Sequence, residues 1–448
     1  MEHLWGTQTN LAIGNFPIAR RPLDTRVARA LATIKRHAAT VNAGLGVAGV
    51  TPEVADAIGE AARRVESGEL DDQFPVDVYQ TGSGTSTNMN VNEVLARLAG
   101  QMTGVEVHPN DHVNASQSSN DTVPAAVRLA VARALVDEVH PALDELIASL
   151  WGLAARTADV VKAGRTHLMD ATPVTVGQEA AAWAGLLEQA RRRSVDDVAT
   201  LGELPLGGTA VGTGINAPAG YAAGVVESLA AETGLPLRVA ADFMVHQGGQ
   251  GPLADASAGL RGVAVALTKI ANDIRLLASG PDAGLAELRL PELQKGSSIM
   301  PGKVNPVLCE SVNQVAARVF GNDTTVAFGA SQGILQLNTY LPVMADALLE
   351  SARLLTNVCR VFAERCVDGI EVDVERCRAY ADRSSALATA LNTVIGYERA
   401  AELVKQAQAE QRTILDVTID AGVLDPDEAR RVLDPLRLTR PSTAEADQ

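Results

Sequence analysis

Apolar side chains recur every three or four residues along several long stretches of this chain. Val27, Leu31 and Ile34 share one face of residues 25–48, a spacing that predicts an amphipathic helix. Thr51-Pro52 predicts the next start, because Thr caps helix N-termini well and Pro suits the first helical position. Residues 121–157 keep the same period, with Leu143, Leu146, Ile147, Leu150 and Leu153 on one stripe. His140-Pro141 predicts a kink within that run. Further periodic runs cover residues 174–200, 252–279, 304–328 and 338–366. Helices of about 25–35 residues exceed the usual length and predict a bundle whose apolar faces other subunits cover. After about residue 368 the predicted helices shorten and charge becomes denser. The division expected is an N-terminal, mostly helical domain over 1–116, a central long-helix bundle over 117–368 and a small helical C-terminal domain over 369–448. The closing RPSTAEADQ reads as a loose tail. No internal repeat is present.

The polar interruptions are less ordinary. TGSGTSTNMN at 81–90, HPNDHVNASQSSND at 108–121, GRTHLMDATP at 164–173 and GSSIMPGKVNP at 296–306 are Gly-rich and polar without being charge runs. A further loop, LPLGGTAVGTGINAP, spans 204–218. Any one of them alone reads as a capped helix start or a turn. Together they are four segments rich in neutral hydrogen-bond donors, each beside a long helix. Loops converging at one end of a bundle make a natural small-molecule pocket.

Composition narrows the choice. The chain has 448 residues, too many for one ordinary core. Aromatic residues are 3%, so its cores must be built from Ala, Leu, Val and Ile, which suits packed helices. The net charge of −16 argues against a nucleic-acid role, which needs a basic face. No pair among Cys309, Cys359, Cys366 and Cys377 has CxxC spacing, and so few thiols fit a reducing compartment. MEHLWGTQTN lacks the basic start and apolar run of a signal peptide, and no window has the length of a membrane span. The expectation is a soluble cytoplasmic protein.

The polar segments supply the hydroxyls of Thr85, Ser118, Ser119, Thr166, Ser297 and Ser298 and the amides of Asn88, Asn120 and Asn305. They also supply Lys303, Arg165, His108 and His167. Helix N-termini add backbone N–H groups and positive dipole ends. This inventory suits a small polycarboxylate. Nucleotide-loop spacings are absent, and neither a metal nor a cofactor is expected.

GSSIMPGKVNP resembles the signature of the fumarase/aspartase superfamily. The whole chain resembles class II fumarases, with TGSGTSTNMNVNEV, HPNDHVN, QSSND, GRTHLMDATP, LGGTAVGTGIN and TALNTVIGY in family order. The resemblance implies a mainly α, three-domain fold and a homotetramer with a twenty-helix core. It also implies active sites assembled from three subunits, a small dicarboxylate substrate and anti elimination giving fumarate.

Site roles carry over by motif. The resemblance makes Ser297 the base that removes a proton beside a carboxylate. Lys303 and Asn305 then steady the doubly negative aci-carboxylate, where each preorganised donor is worth on the order of 3 kcal/mol. His167 handles the leaving group with Glu310 as its carboxylate partner. Ser83, Thr85, Ser118, Ser119, Asn120 and Thr166 bind the substrate carboxylates, and His108, Asn110 and Asp111 match a second anion site.

The leaving group is the finer question. QSSND, SQG at 331–333 and ALNTVIGY resemble fumarases, whereas GNDTTV at 321–326 and LQLN at 335–338 resemble aspartases. Met169 and Leu341 stand where fumarases commonly have Gln and Lys. The leading expectation is hydration of fumarate to (S)-malate. The alternatives are an aspartate ammonia-lyase or related C–N lyase, and a non-catalytic structural descendant.

Overall fold

The computed structural model describes residues 3–440; residues 441–448, on which the expected tail falls, lie outside the described residues. The chain is mainly α. In order its helices are α1 (Thr7–Asn15), α2 (Thr25–Gly44), α3 (Pro52–Glu66), α4 (Thr85–Thr103), α5 (Ser119–Arg133), α6 (His140–Arg156), α7 (Val176–Leu201), α8 (Tyr221–Thr233), α9 (Phe243–Gly248), α10 (Gly251–Leu277), α11 (Val307–Ala330) and α12 (Leu341–Phe362). Five short ones follow: α13 (Val374–Arg383), α14 (Asn392–Ile395), α15 (Tyr397–Glu410), α16 (Ile414–Asp420) and α17 (Pro426–Val432). Among the described residues three two-stranded sheets pair β1 (Val161–Thr166) with β2 (Met169–Thr175), β3 (Glu203–Leu204) with β4 (Arg238–Val239), and β5 (Leu288–Arg289) with β6 (Glu371–Val372).

The helix starts follow local chemistry. Thr51 Oγ1 accepts the Val54 N–H at 3.3 Å, and Pro52 opens α3. Ser118 and Asp121 form a capping box that starts α5. The run expected over 121–157 is helical throughout but irregular: a π-helical stretch, Ala134–Val139, joins α5 to α6. Pro141 lacks the N–H for a normal helical bond, and the wider turn just before it accommodates the ring. The longest helices, α7 and α10, have 26 and 27 residues.

The residues group into two compact units. The first contains the described residues up to Ala142, Ala190–Val265 and Val315–Asn357. Its core includes the fully buried Leu31, Ile34, Ile58, Leu95 and Leu129. Burying each is worth about 1.5–3 kcal/mol, and the many buried alanines around them let helices approach closely. The second contains Leu143–Gln189, Ala266–Gln314 and the described residues from Val358 onward. Within it, Leu387, Leu391, Leu403, Ile414, Val417 and Leu433 form a separate apolar cluster near the C-terminus. All four cysteines are free and buried. Among the described residues no helix is long and apolar enough to cross a membrane.

One expectation is corrected. GRTHLMDATP, read above as a polar loop between helices, is most of a β-hairpin, with Thr166 paired to Met169 across a two-residue turn. His167 and Leu168 form that turn at φ 54° and 61°, the left-handed geometry that tight hairpins require.

Candidate active site

The first group of site residues lies where two helices begin. Gly84 has φ 73°, and a Cβ there would meet Val123 Cγ1 at 2.6 Å. Glycine therefore lets the α4 start pack against α5. This packing aligns three hydroxyls: Ser83 Oγ lies 2.8 Å from Thr85 Oγ1, which lies 2.7 Å from Ser119 Oγ. Ser118 Oγ accepts the Asn120 N–H at 3.2 Å, and Asn120 Nδ2 donates to the Ala210 carbonyl at 2.9 Å. Two helix N-termini thus present hydroxyls and positive dipole ends side by side.

Asp121 anchors this group. Its side chain is fully buried. Oδ1 accepts the Ser118 N–H at 2.9 Å, and Oδ2 accepts those of Gly207 and Thr209 at 3.1 and 2.9 Å. Burial pushes its carboxyl above the usual range, while these N–H bonds pull the other way.

His108, Asn110 and Asp111 are exposed on a short π-helical turn, Pro109–Val113. His108 and His112 stand four residues apart, a spacing that also suits metal ligation. The fold occupies both rings locally: His112 Nδ1 accepts the His108 N–H at 3.0 Å, and His108 Nδ1 accepts the Asp111 N–H at 3.1 Å. Among the described residues no group of three or more His, Cys, Asp or Glu is placed to hold a metal.

The hairpin presents Thr166 and His167 to solvent. Arg165, counted above among the cations available to an anion, is already committed. It makes a two-pronged bond to Glu287 at 3.1 and 2.8 Å. Glu287 is fully buried and also meets Lys162 Nζ at 3.0 Å. Lys162 is closed by Glu179 at 2.8 Å. This cluster braces the root of the hairpin rather than reaching a ligand.

GSSIMPGKVNP folds into a closed loop. The Gly296 N–H donates to the Lys303 carbonyl at 3.0 Å, and Asn305 Nδ2 donates to the Gly296 carbonyl at 2.7 Å. A Cβ on Gly296 would lie 2.2 Å from the Lys303 oxygen, so only glycine permits this closure. Inside it, Ser297 Oγ accepts the N–H groups of Ile299 and Met300 at 3.2 and 3.1 Å. Lys303 is exposed, and Glu310 lies in the first turn of α11.

The chain brings Ser83, Thr85, Ser118, Ser119 and Asn120 together, and separately Ser297, Lys303 and Asn305. No hydrogen bond or ion pair joins His167 to Glu310 among the described residues. Sequence reasoning passed over Asp121, although S-x-x-D before an apolar run is a capping-box signal. It also passed over Glu287, whose partners are far away in sequence.

Residues 1–321 match the family described as Lyase, and residues 387–440 that described as Fumarase C C-terminus. Fumarate hydratase class II of Mycobacterium tuberculosis is 50% identical over 450 residues, spanning 99% of this chain and 94% of that protein. The crystal structure of a class II fumarase from Schistosoma mansoni superposes with a TM-score of 0.95 at 37% identity, covering 99% of this chain and 97% of that one. That of a fumarate lyase:delta crystallin from Brucella melitensis gives 0.94 at 46% identity, covering 98% and 97%. With the motif loops folded as described, this chain belongs to the fumarase/aspartase superfamily of lyases, on its class II fumarase branch.

Proposed function

We propose that this chain interconverts (S)-malate and fumarate by anti elimination and addition of water. Its relatedness to class II fumarate hydratases supports the reading. The observation that carries it is the Ser297 hydroxyl, which accepts two backbone N–H bonds inside a closed loop. Two donors aimed at one oxygen favour its deprotonated form, as a base for a weakly acidic C–H requires.

In this mechanism the Ser297 alkoxide takes a proton from the carbon beside one carboxylate. The electron pair moves into that carboxylate and gives a dianionic aci-carboxylate. Lys303 and the second amide hydrogen of Asn305 stabilise it. The pair then forms the double bond as the adjacent C–O bond breaks. His167, oriented by Glu310, delivers the proton with which hydroxide leaves as water. Ser83, Thr85, Ser118, Ser119, Asn120 and Thr166 hold the two carboxylates. His108, Asn110 and Asp111 bind a second anion and take no part in the chemistry.

The lack of a His167–Glu310 contact within one chain favours a site shared between copies of a homotetramer. Exposed Val195 on α7, Val265 on α10 and Phe328 on α11 supply apolar surface for such packing. The cytoplasm is the compartment this reading assigns.

The competing reading has an amine leaving group, which the aspartase-like GNDTTV and LQLN favour. Ultraviolet absorbance of fumarate, followed after mixing the protein with L-malate and separately with L-aspartate, decides between them. Fumarate from malate alone is expected. Fumarate from aspartate alone, or from neither, overturns the proposal.

A further inference from the structure

Lys35 lies on α2 and is fully buried, yet no step described above uses it. Its Nζ donates to Asn114 Oδ1 and to Gln117 Oε1, each at 3.2 Å. Asn114 Oδ1 also accepts from Asn88 Nδ2 at 3.1 Å and Asn92 Nδ2 at 3.3 Å, both on α4. Seven residues along α2, Asn42 grips the same turn. Its Nδ2 donates to the Ala115 carbonyl at 3.0 Å, and its Oδ1 accepts from Ser116 Oγ at 2.8 Å. Seven residues are two helical turns, so Lys35 and Asn42 share one face of α2.

We infer that Lys35 is a positioning residue for dicarboxylate binding, holding residues 114–117 so that Ser118, Ser119 and Asn120 meet the substrate. The inference rests on the reading of those three residues as carboxylate ligands. The turn it grips lies between the second anion group at 108–111 and the start of α5. A surface lysine attracts anions as a screened point charge; a buried one acts through a fixed network in low dielectric.

Burial pushes the Lys35 amine down to about 7, while Asp121 pulls it up. The amine meets Asn114 and Gln117 of the turn, Asn88 and Asn92 of α4 bond the same Asn114 oxygen, and Asp121 of α5 acts on it through its charge. Tyr221 of α8 is in turn within reach of Asp121. Neither His112 of the adjoining turn nor any group of α3 contributes. Protonation adds a positive charge and a third N–H behind the carboxylate ligands. Dicarboxylate affinity therefore weakens as pH rises through about 7.

The test is thermal stabilisation by succinate, a dicarboxylate that cannot react, measured across neutral pH. The wild type is expected to show a step near pH 7. Lys35→Met, similar in length but without donors, is expected to bind about tenfold more weakly below the step and to show none. Its KM for malate rises more than its kcat falls. Gln117→Glu places a carboxylate beside the amine and moves the step alkaline, which decides the matter if Lys35→Met does not fold. Wild-type affinity and profile in Lys35→Met, or an unmoved step in Gln117→Glu, overturns the inference. A wild type that binds succinate but makes no fumarate from malate removes the proposed reaction and leaves this role standing. A wild type that makes fumarate from malate but shows no succinate stabilisation overturns this role and leaves the proposed reaction standing.

Discussion

The carboxylate of Asp121 accepts the Thr209 backbone N–H at 2.9 Å, so the start of α5 and a distant glycine-rich turn share one buried anion. Asp121→Asn points an amide N–H₂ at donors or leaves one oxygen for three backbone N–H groups. Each buried N–H left unpaired costs about 1–3 kcal/mol. Thermal unfolding of the variant is expected several degrees below wild type, with a raised KM for malate because Asn120 loses its backing.

His167 and Leu168 both hold positive φ at the hairpin tip. Asn adopts that geometry more readily than most residues. His167→Asn therefore keeps the turn and removes the imidazole proposed as the acid–base group. A kcat lowered about 10²–10⁴-fold is expected, with an unchanged melting temperature. Equal loss of stability and activity shows instead that the imidazole acts structurally.

Glu287 is fully buried between Lys162 and Arg165. Glu287→Gln strips both cations of a shared counter-charge. Breaking a buried pair from one side costs about 3–5 kcal/mol. Urea unfolding should register a loss of that order.

Burial beside Asp255 and Asp196 pushes the Asp197 carboxyl up to about 6, and its Oδ2 is buried without a partner. The folded-state value is raised above the unfolded one. The stability it contributes is present below about pH 4 and lost as pH rises through about 6. Asp197→Asn is therefore expected to raise the melting temperature at pH 8 and to leave it nearly unchanged at pH 4. An equal shift at both values removes the carboxyl as the cause.

Much of this was legible in the sequence because it rests on local signals. The 3.6-residue period located α7, α10, α11 and α12, and Thr51-Pro52 marked the start of α3. GRTHLMDATP misled because its positive-φ pair is His-Leu, without the Asn-Gly or Asp-Gly that advertises a tight hairpin turn. Arg165 resembled a free cation because its partner Glu287 is 122 residues away. Lys35 sat within an ordinary amphipathic pattern, and only the folded chain brings residues 114–117 to it. Long-range pairing of buried charges leaves no periodic trace.

The central claim is that Ser297 removes the substrate proton. Steady-state fumarate formation from L-malate by Ser297→Ala tests it most directly, because the residue sits in an outer loop and its loss leaves the helical cores intact. The account predicts a kcat lowered by about 10²–10⁴-fold, with a KM within a few-fold of wild type and an unchanged circular dichroism spectrum. A Ser297→Ala protein with wild-type kcat would contradict it and assign the base to another residue.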